Sequence, residues 1–521
     1  MASSQEGVIR VHGQERIVRD NRSVLAWGAI LKVGMNSWRL ILLCTLALVP
    51  AVAQELPAVP AQALLEEGKP ESALPILLNL QRASPTDPNL CQQIGIAYTQ
   101  LNNLVAAVRY YRKAIQLNPR FHAARKNLGT VLWFLNRRDE AEREFLIVAK
   151  ALPGDPVPHL YLGLADAERH QFEHAKEEFE RAGALALDNP EVIPPVLESY
   201  LASRDVSFPT TVLDRLTRAE SPDAAILSHA GALFLQYGHP EQAITALERI
   251  VSVHNDSAET WRTLGEAYDR EGKPDDAHRA YEHAIEMDPN SEESYLSLAD
   301  FASAHANNDY ALQVIKRGLE RLPQSSLLRF ERGILLALIG NRTEAQASFL
   351  QANRLKPDWK LPLLALGVSE LEAGNAAQAA VMFQRARARD SHDPRAWYLY
   401  ALALSKQDTG DVESTRARAV AALRKAIEID PDDANSHALL GRLELDMGNT
   451  GAASRQWETA LKLDPDNATA LYQLSLLYRK EAKRDEAQQL AAKLQQLKAK
   501  QRAGESQLVE ILKVVPQRPP R

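Results

Sequence analysis

The chain has 521 residues, 45% hydrophobic and 25% charged, and its 61 Lys and Arg against 67 Asp and Glu leave a net charge of −6. So much apolar content excludes a disordered chain, and a mildly acidic balance with no basic block gives no general pull on phosphate, so no nucleic-acid partner is expected. Two cysteines, Cys44 and Cys91, cannot build a disulfide framework or a cysteine-based zinc site.

Residues 1–34 carry no clear pattern and are read as an upstream segment, with translation starting at Met35. Leu40–Val49 reads LILLCTLALV, ten apolar residues behind Met35, Asn36 and Arg39 and ahead of Pro50-Ala51-Val52-Ala53. A short basic region, an apolar core and an A-x-A site predict a signal peptide over 35–53, cut before Gln54. A bilayer-spanning helix needs about 20 apolar residues, and extending the run upstream meets Lys32, Asn36 and Arg39. An uncleaved inner-membrane anchor is therefore the second reading. Export is expected, to a bacterial periplasm, with membrane contact only where the segment stays attached.

From Gln54 onward one pattern returns every 34 residues. Two stretches show it plainly: WRTLGEAYDREGKPDDAHRAYEHAIEMDP from Trp261 to Pro289, and LYLGLADAERHQFEHAKEEFERAGALAL from Leu160 to Leu187. Each predicts two amphipathic helices of about a dozen residues joined by a short turn. With the glycine of Leu-Gly set as position 8, that place holds Gly95, Gly129, Gly163, Gly231, Gly265, Gly333, Gly367 and Gly441, with Ala61, Ala299, Ala401 and Ser475 as small substitutes. Position 20 is alanine from Ala73 to Ala487 in eleven units, and a closing proline recurs at position 32 from Pro85 to Pro465. Thirteen units fill 54–501 once a single six-residue insertion is allowed, leaving a tail over 502–521.

Small residues at positions 8 and 20 let two helices cross closely. Large ones at positions 4, 7, 11 and 24 (Trp261, Leu264, Tyr268 and Tyr281 in one unit) fill the space around the crossing. Position 15 ends the first helix in a left-handed conformation, which suits Gly238, Gly272, Gly340, Gly374 and Gly448, or Asn102 and Asn136. The proline at position 32 stops the second helix. This constellation resembles the tetratricopeptide repeat (TPR), whose consensus is Trp-x2-Leu-Gly-x2-Tyr, then Ala, an aromatic, Ala and Pro. The resemblance covers nearly all of 54–501. It implies an all-α fold, a right-handed superhelical α-solenoid with a concave groove lined by the first helices.

Three places depart from the pattern. Over 188–221 the length is kept but Leu197 replaces the glycine, Pro209 replaces the alanine, and Pro190, Pro194 and Pro195 crowd the first helix, so imperfect packing is expected. The segment 406–414, KQDTGDVES, is read as lengthening one turn between helices. The last unit is polar almost all round, as suits a terminal cap.

Little in the chain predicts catalysis, and no enzyme activity and no cofactor are expected. His170-Gln171-Phe172-Glu173-His174 matches the H-x-x-E-H zinc-peptidase motif, but in the repeat register His170 falls on the helix-ending position and His174 on the next helix. The motif therefore straddles a turn, and no metal site is expected. Cys91 reads as a small apolar residue. No nucleophile elbow, phosphate-binding loop or dinucleotide fingerprint occurs.

By the resemblance, positions 2, 5, 9 and 12 of the first helix face the groove. Along that stripe Glu259, Arg262, Glu266, Asp269, Glu293 and Asp300 form a mostly acidic stretch. Leu327, Phe330, Ile334, Leu361, Leu364, Val368, Leu371, Tyr398 and Leu402 form an apolar one. The apolar stretch is read either as a docking site for a peptide or helix or as side chains buried between neighbouring helices; the acidic one, as a seat for a basic segment or as a solvated face. Position 9 holds no asparagine, so the carboxylate clamp known in the family is not expected. Position 6 holds only Asn127, so an asparagine ladder is not expected either. The resemblance implies a scaffold or adaptor for a protein or peptide partner. The alternative is a substrate-presenting arm of an envelope enzyme or polysaccharide-export complex whose catalytic subunit is a separate chain.

Overall fold

Within each body the 34-residue units fold as two antiparallel helices, because two apolar stripes separated by a helix-stopping turn can cover only each other and the next unit. The computed structural model describes residues 59–220, 222–254, 257–407 and 411–500. The upstream segment, the signal segment 35–53 and the tail 502–521 lie outside them. Among the described residues there are 27 helices: two for each of thirteen units, and the four-residue helix Leu185–Asp188. The chain divides into two bodies, one ending at Gly238 and one beginning at His239. Within each body every second helix packs on the first helix of the following unit, and most first helices also touch the first helix of the next unit directly.

Local chemistry fixes where the helices begin and end. Asp87-Pro88, Asp155-Pro156 and Asp393-Pro394 each put a carboxylate at the cap and a proline in the first turn. The Asp155 carboxylate accepts from the Val157 N–H at 3.1 Å, and that of Asp393 from the Arg395 N–H at 3.0 Å. At the other end, position 15 lies at positive φ in every unit where it is described. Six of these residues are not glycine: Asn102, Asn136, His170, Arg204, Ala306 and Ala482, with φ between 56° and 61°. The register, rather than the side chain, imposes the left-handed turn.

The crossing of the two helices is tighter than the sequence pattern implies. A Cβ on Gly333 would lie 2.4 Å from Phe349 Cε1, one on Gly367 2.5 Å from Phe383 Cε1, and one on Gly95 2.5 Å from Tyr111 Cε1. Gly129, Gly163, Gly265 and Gly441 meet Phe145, Phe179, Tyr281 and Trp457 in the same way. An aromatic at position 24 therefore lies flat on the bare backbone at position 8. Where position 8 is alanine instead, the buried residue at the matching place is aliphatic: Leu77 with Ala61, Ile315 with Ala299, and Leu423 with Ala401. One methyl is exchanged for one ring, so the volume at the crossing is conserved.

Position 4 has a role beyond filling space. Its side chain reaches back to the carbonyl that closes the preceding unit, six residues earlier. Tyr295 Oη donates to the Pro289 carbonyl at 3.0 Å, Arg329 to Pro323 at 2.6 Å, and Trp397 Nε1 to Ser391 at 2.9 Å. Such a donor satisfies a carbonyl at the end of a helix that has no intrahelical partner.

The irregular places have local causes. In the 188–221 unit the first helix is Ile193–Ala202 and the second Ser207–Thr217, ten and eleven residues instead of the usual thirteen and fourteen. Leu197 and Leu213 are both buried there, and Tyr200 stacks on Phe208 at 4.3 Å. The six-residue insertion lengthens the turn, as the sequence reading has it, and the helix after it as well. The second helix, Val412–Ile429, is 18 residues long against 14 in Ala376–Arg389. Asp411 caps this extra turn by accepting from the Ser414 N–H at 3.1 Å.

Two consequences can be measured. Gly333→Ala should lower stability by about 1–3 kcal/mol, and adding Phe349→Leu should recover part of that loss even though it is destabilising alone. A double-mutant cycle read by urea unfolding gives the coupling, and strictly additive losses would count against the crossing. Ala306→Gly should raise stability by about 1 kcal/mol, because the left-handed conformation penalises a Cβ. A drop in the unfolding midpoint would contradict that.

Candidate binding face

Positions 2, 5, 9 and 12 fall together on one side of each first helix, and the structure gives their residues unequal access. In the body beginning at His239, Leu361, Leu364 and Val368 are each 2% exposed and Phe330 is 7% exposed. These four belong to one hydrophobic core, with Ile334, Leu371, Tyr398 and Leu402 packed against it. The helix Lys360–Glu372 reads KLPLLALGVSELE and is buried on all sides from Leu361 to Ser369. A helix this apolar cannot leave a face in water, so its neighbours close over it. Phe330, Leu361, Leu364 and Val368 therefore support the face from beneath and offer a partner no surface. Leu327, Ile334, Leu371, Tyr398 and Leu402 stay half-buried and reachable.

Two residues of this region combine access with crowding. Tyr398 keeps part of its surface open, yet burial pushes its phenol up to about 12. Desolvation likewise pushes the half-buried Glu331 carboxyl up to about 7.

The acidic stretch is partly neutralised by its own neighbours. Arg270 reaches Glu266 at 2.6 Å, His305 Nε2 lies 2.8 Å from Asp269, and Arg262 lies 3.9 Å from Glu259. Glu259 and Glu293 are exposed, and Arg262, Glu266, Asp269 and Asp300 are half-buried. Pairs as open as these hold weakly and exchange partners readily.

The same register extends the stripe to residues that the sequence reading passed over. Arg442 at position 9 and Arg479 at position 12 are exposed, and neither has an ion-pair partner among the described residues. Tyr472 at position 5 is 48% exposed. The signal was the position itself, since each falls on the stripe that holds Leu402 and Tyr398.

In the body ending at Gly238 the H-x-x-E-H motif is split by a turn. The first helix ends at Glu168, His170 has φ 59°, and the next helix begins at Phe172. His174 Nδ1 lies 3.4 Å from Asp166 Oδ2. His159 at position 4 sits between Glu178, 2.7 Å from Nδ1, and the Pro153 carbonyl, 3.1 Å from Nε2. Both nitrogens thus serve the fold. No cluster of three His, Cys, Asp or Glu placed to hold a metal occurs among the described residues. None of their helices is long and apolar enough to cross a membrane. Cys91 is buried.

Comparison with known families matches tetratricopeptide repeat descriptions to residues 88–121, 258–291, 364–434 and 441–480. Among solved structures the chain is similar to yeast Tom70, at 16% identity and a TM-score of 0.36, over 82% of this chain and 93% of that one. It is also similar to MamA, at 22% identity and a TM-score of 0.28, over 32% of this chain and 95% of that one. A third is YrrB, described as a TPR protein with an unusual peptide-binding site, at 20% identity and a TM-score of 0.32, over 37% of this chain and 97% of that one. The register, the paired helices and the family matches together place the chain in the tetratricopeptide repeat family.

Proposed function

We propose that the chain is a protein-interaction scaffold that holds a polypeptide segment of a partner on the first-helix face of its C-terminal body. The observation that carries this reading is the half-open apolar strip of Leu327, Ile334, Leu371, Tyr398 and Leu402, laid over a fully buried layer. A rigid layer beneath means that the strip does not reorganise on binding, so a partner segment loses its own freedom but the face loses little. The partner class is a protein or peptide with apolar side chains at its centre. The apolar run Leu40–Val49 with its following A-x-A site supports export, so the work is assigned to the periplasm.

The direct test is a photo-crosslinking residue at Leu402 in intact cells, with exposed Gln378 on a second helix as the control. Polypeptide adducts from Leu402 and not from Gln378 are expected. Adducts from Gln378 alone would move the binding surface to the second helices.

A further inference from the structure

The second helices Ala376–Arg389 and Val412–Ile429 both pack on the first helix Pro394–Ser405. One carries three arginines and the other three arginines and a lysine, against two carboxylates, Glu413 and Glu428. Arg389 reaches Asp358 at 3.2 Å, Arg424 reaches Glu444 at 3.6 Å and Lys425 reaches Glu428 at 2.7 Å. Arg385, Arg387, Arg416 and Arg418 have no carboxylate within ion-pair distance among the described residues, in a chain of net charge −6. The acids nearest Arg387 in sequence are already held. Lys360 takes Asp390 at 2.5 Å and Asp393 at 2.8 Å, and Arg395 takes Asp393 at 3.0 Å. Glu413 is exposed at the start of its helix and pairs with neither Arg416 nor Arg418, and Asp408 in the turn before it lies outside the described residues.

Two of these arginines meet at one ring. Arg387 Cζ lies 4.3 Å from the centroid of the Tyr400 ring and 4.4 Å from that of Trp397. Arg418 Cζ lies 5.9 Å from the Tyr400 ring, and its Nη2 donates to Tyr400 Oη at 2.5 Å. The two guanidinium carbons are therefore at most about 10 Å apart. Tyr400 is buried, Arg387 and Trp397 are half-buried and Arg418 is exposed. Trp397 gives its indole N–H to the Ser391 carbonyl, so it offers a surface and no donor. The guanidinium groups, from two different helices, keep N–H donors that no described residue takes.

The repeat does not call for this charge. Arg387 stands at position 28, which meets position 4 of the next unit, as Gln81 does in donating to Cys91 Sγ at 3.5 Å. No other unit has a charged residue at position 28, where Ile285, Leu319 and Leu461 are examples of the apolar occupants. Stacking on two rings stabilises Arg387 in place. Arg418 then brings a second positive charge to the same ring, and like charges without a counter-ion repel.

We propose that Arg387 and Arg418 form an anion site for a phosphate ester, seated between the two guanidinium groups beside Trp397. The site uses positions 4, 7, 19 and 28, none of them on the stripe of the binding face, and does not rest on that face. A carboxylate fits the pair poorly. One guanidinium fork engages both of its oxygens, and its single charge leaves the second arginine uncompensated. A phosphate monoester carries nearly two negative charges at neutral pH and three terminal oxygens, so it accepts from both forks and cancels both charges. Arg385 and Arg416 each lie two residues along the helix from a site arginine, off the same helix face, and strengthen the local field. The attraction is local, because the chain as a whole is acidic.

The test is calorimetric titration of the full chain with inorganic phosphate and with pyrophosphate, in chloride buffer at neutral pH. One saturable site is expected. Arg387→Leu installs a residue that the repeat itself uses at position 28, and Arg418→Gln changes an exposed side chain, so both variants should keep the parent's unfolding midpoint. Each should weaken binding at least about tenfold, the size of one charge-assisted hydrogen bond. Arg479→Gln, at an exposed arginine on the first-helix face, should leave binding unchanged. Co-sedimentation with phosphatidylcholine vesicles, with and without phosphatidic acid, identifies the source of the phosphate. Sedimentation that needs phosphatidic acid and is lost in Arg387→Leu assigns a lipid headgroup; phosphate binding without sedimentation assigns a soluble phosphate ester. The site is overturned by the absence of saturable binding of either anion, by unchanged binding in Arg387→Leu or Arg418→Gln, or by equal weakening in Arg479→Gln.

Discussion

The close crossing of two helices at one glycine is the contact on which the rest of the structure depends. An aromatic ring at position 24 rests on the bare backbone at position 8, so the two helices of a unit approach until the ring fills the gap. That approach buries the aromatic: Tyr111, Phe145, Phe349, Phe383 and Trp457 have no exposed surface. It also sets the rotation of the first helix, because the glycine has to face its own partner. Positions 2, 5, 9 and 12 then lie to one side of the crossing, near enough at position 5 for the Phe330 ring to stand 5.5 Å from that of Phe349. The proposed binding face is the geometric remainder of the packing rule, and it repeats every 34 residues because the rule does.

Two smaller devices hold each unit in register with the next. A left-handed residue at position 15 reverses the chain, even where Ala306, Arg204 or His170 occupies it at a conformational cost. A donor at position 4 closes the carbonyl at the end of the preceding unit, and Trp397, Tyr295, Arg329 and His437 all serve there. The chemistry varies while the contact is kept. His159 makes the same contact at position 4 of its unit. Its two nitrogens are engaged by Glu178 and by the Pro153 carbonyl, which the fold requires.

Helix pairs, turn positions and the break between His170 and His174 were legible in the sequence because they depend on local periodicity. Burial within the face was not. Leu364 and Leu402 share the stripe and have similar side chains, yet one is 2% exposed and the other is half-open. The difference comes from neighbours one unit away on either side: Phe330, Ile334, Tyr398 and Leu402 belong to the same core as the apolar stretch Leu361–Val368. The split of the 406–414 insertion between turn and helix was illegible for a related reason. Asp411 is a good cap, but VEST could equally have continued the loop. The pairing of glycine with aromatics, broken where Leu247 follows Gly231, and of alanine with aliphatics was present in the sequence all along. It becomes visible only once positions 8 and 24 are known to touch.

If the crossing governs stability, the unit that lacks it should open first. The 188–221 unit has Leu197 for the glycine and the short helices Ile193–Ala202 and Ser207–Thr217. Hydrogen exchange of the full chain, followed by mass spectrometry at neutral pH, reads the opening of each unit separately. Amides of residues 193–217 should exchange well before those of 326–355, where Gly333 carries Phe349. Protection of 193–217 equal to that of 326–355 would contradict the account, because stability would then not follow the crossing.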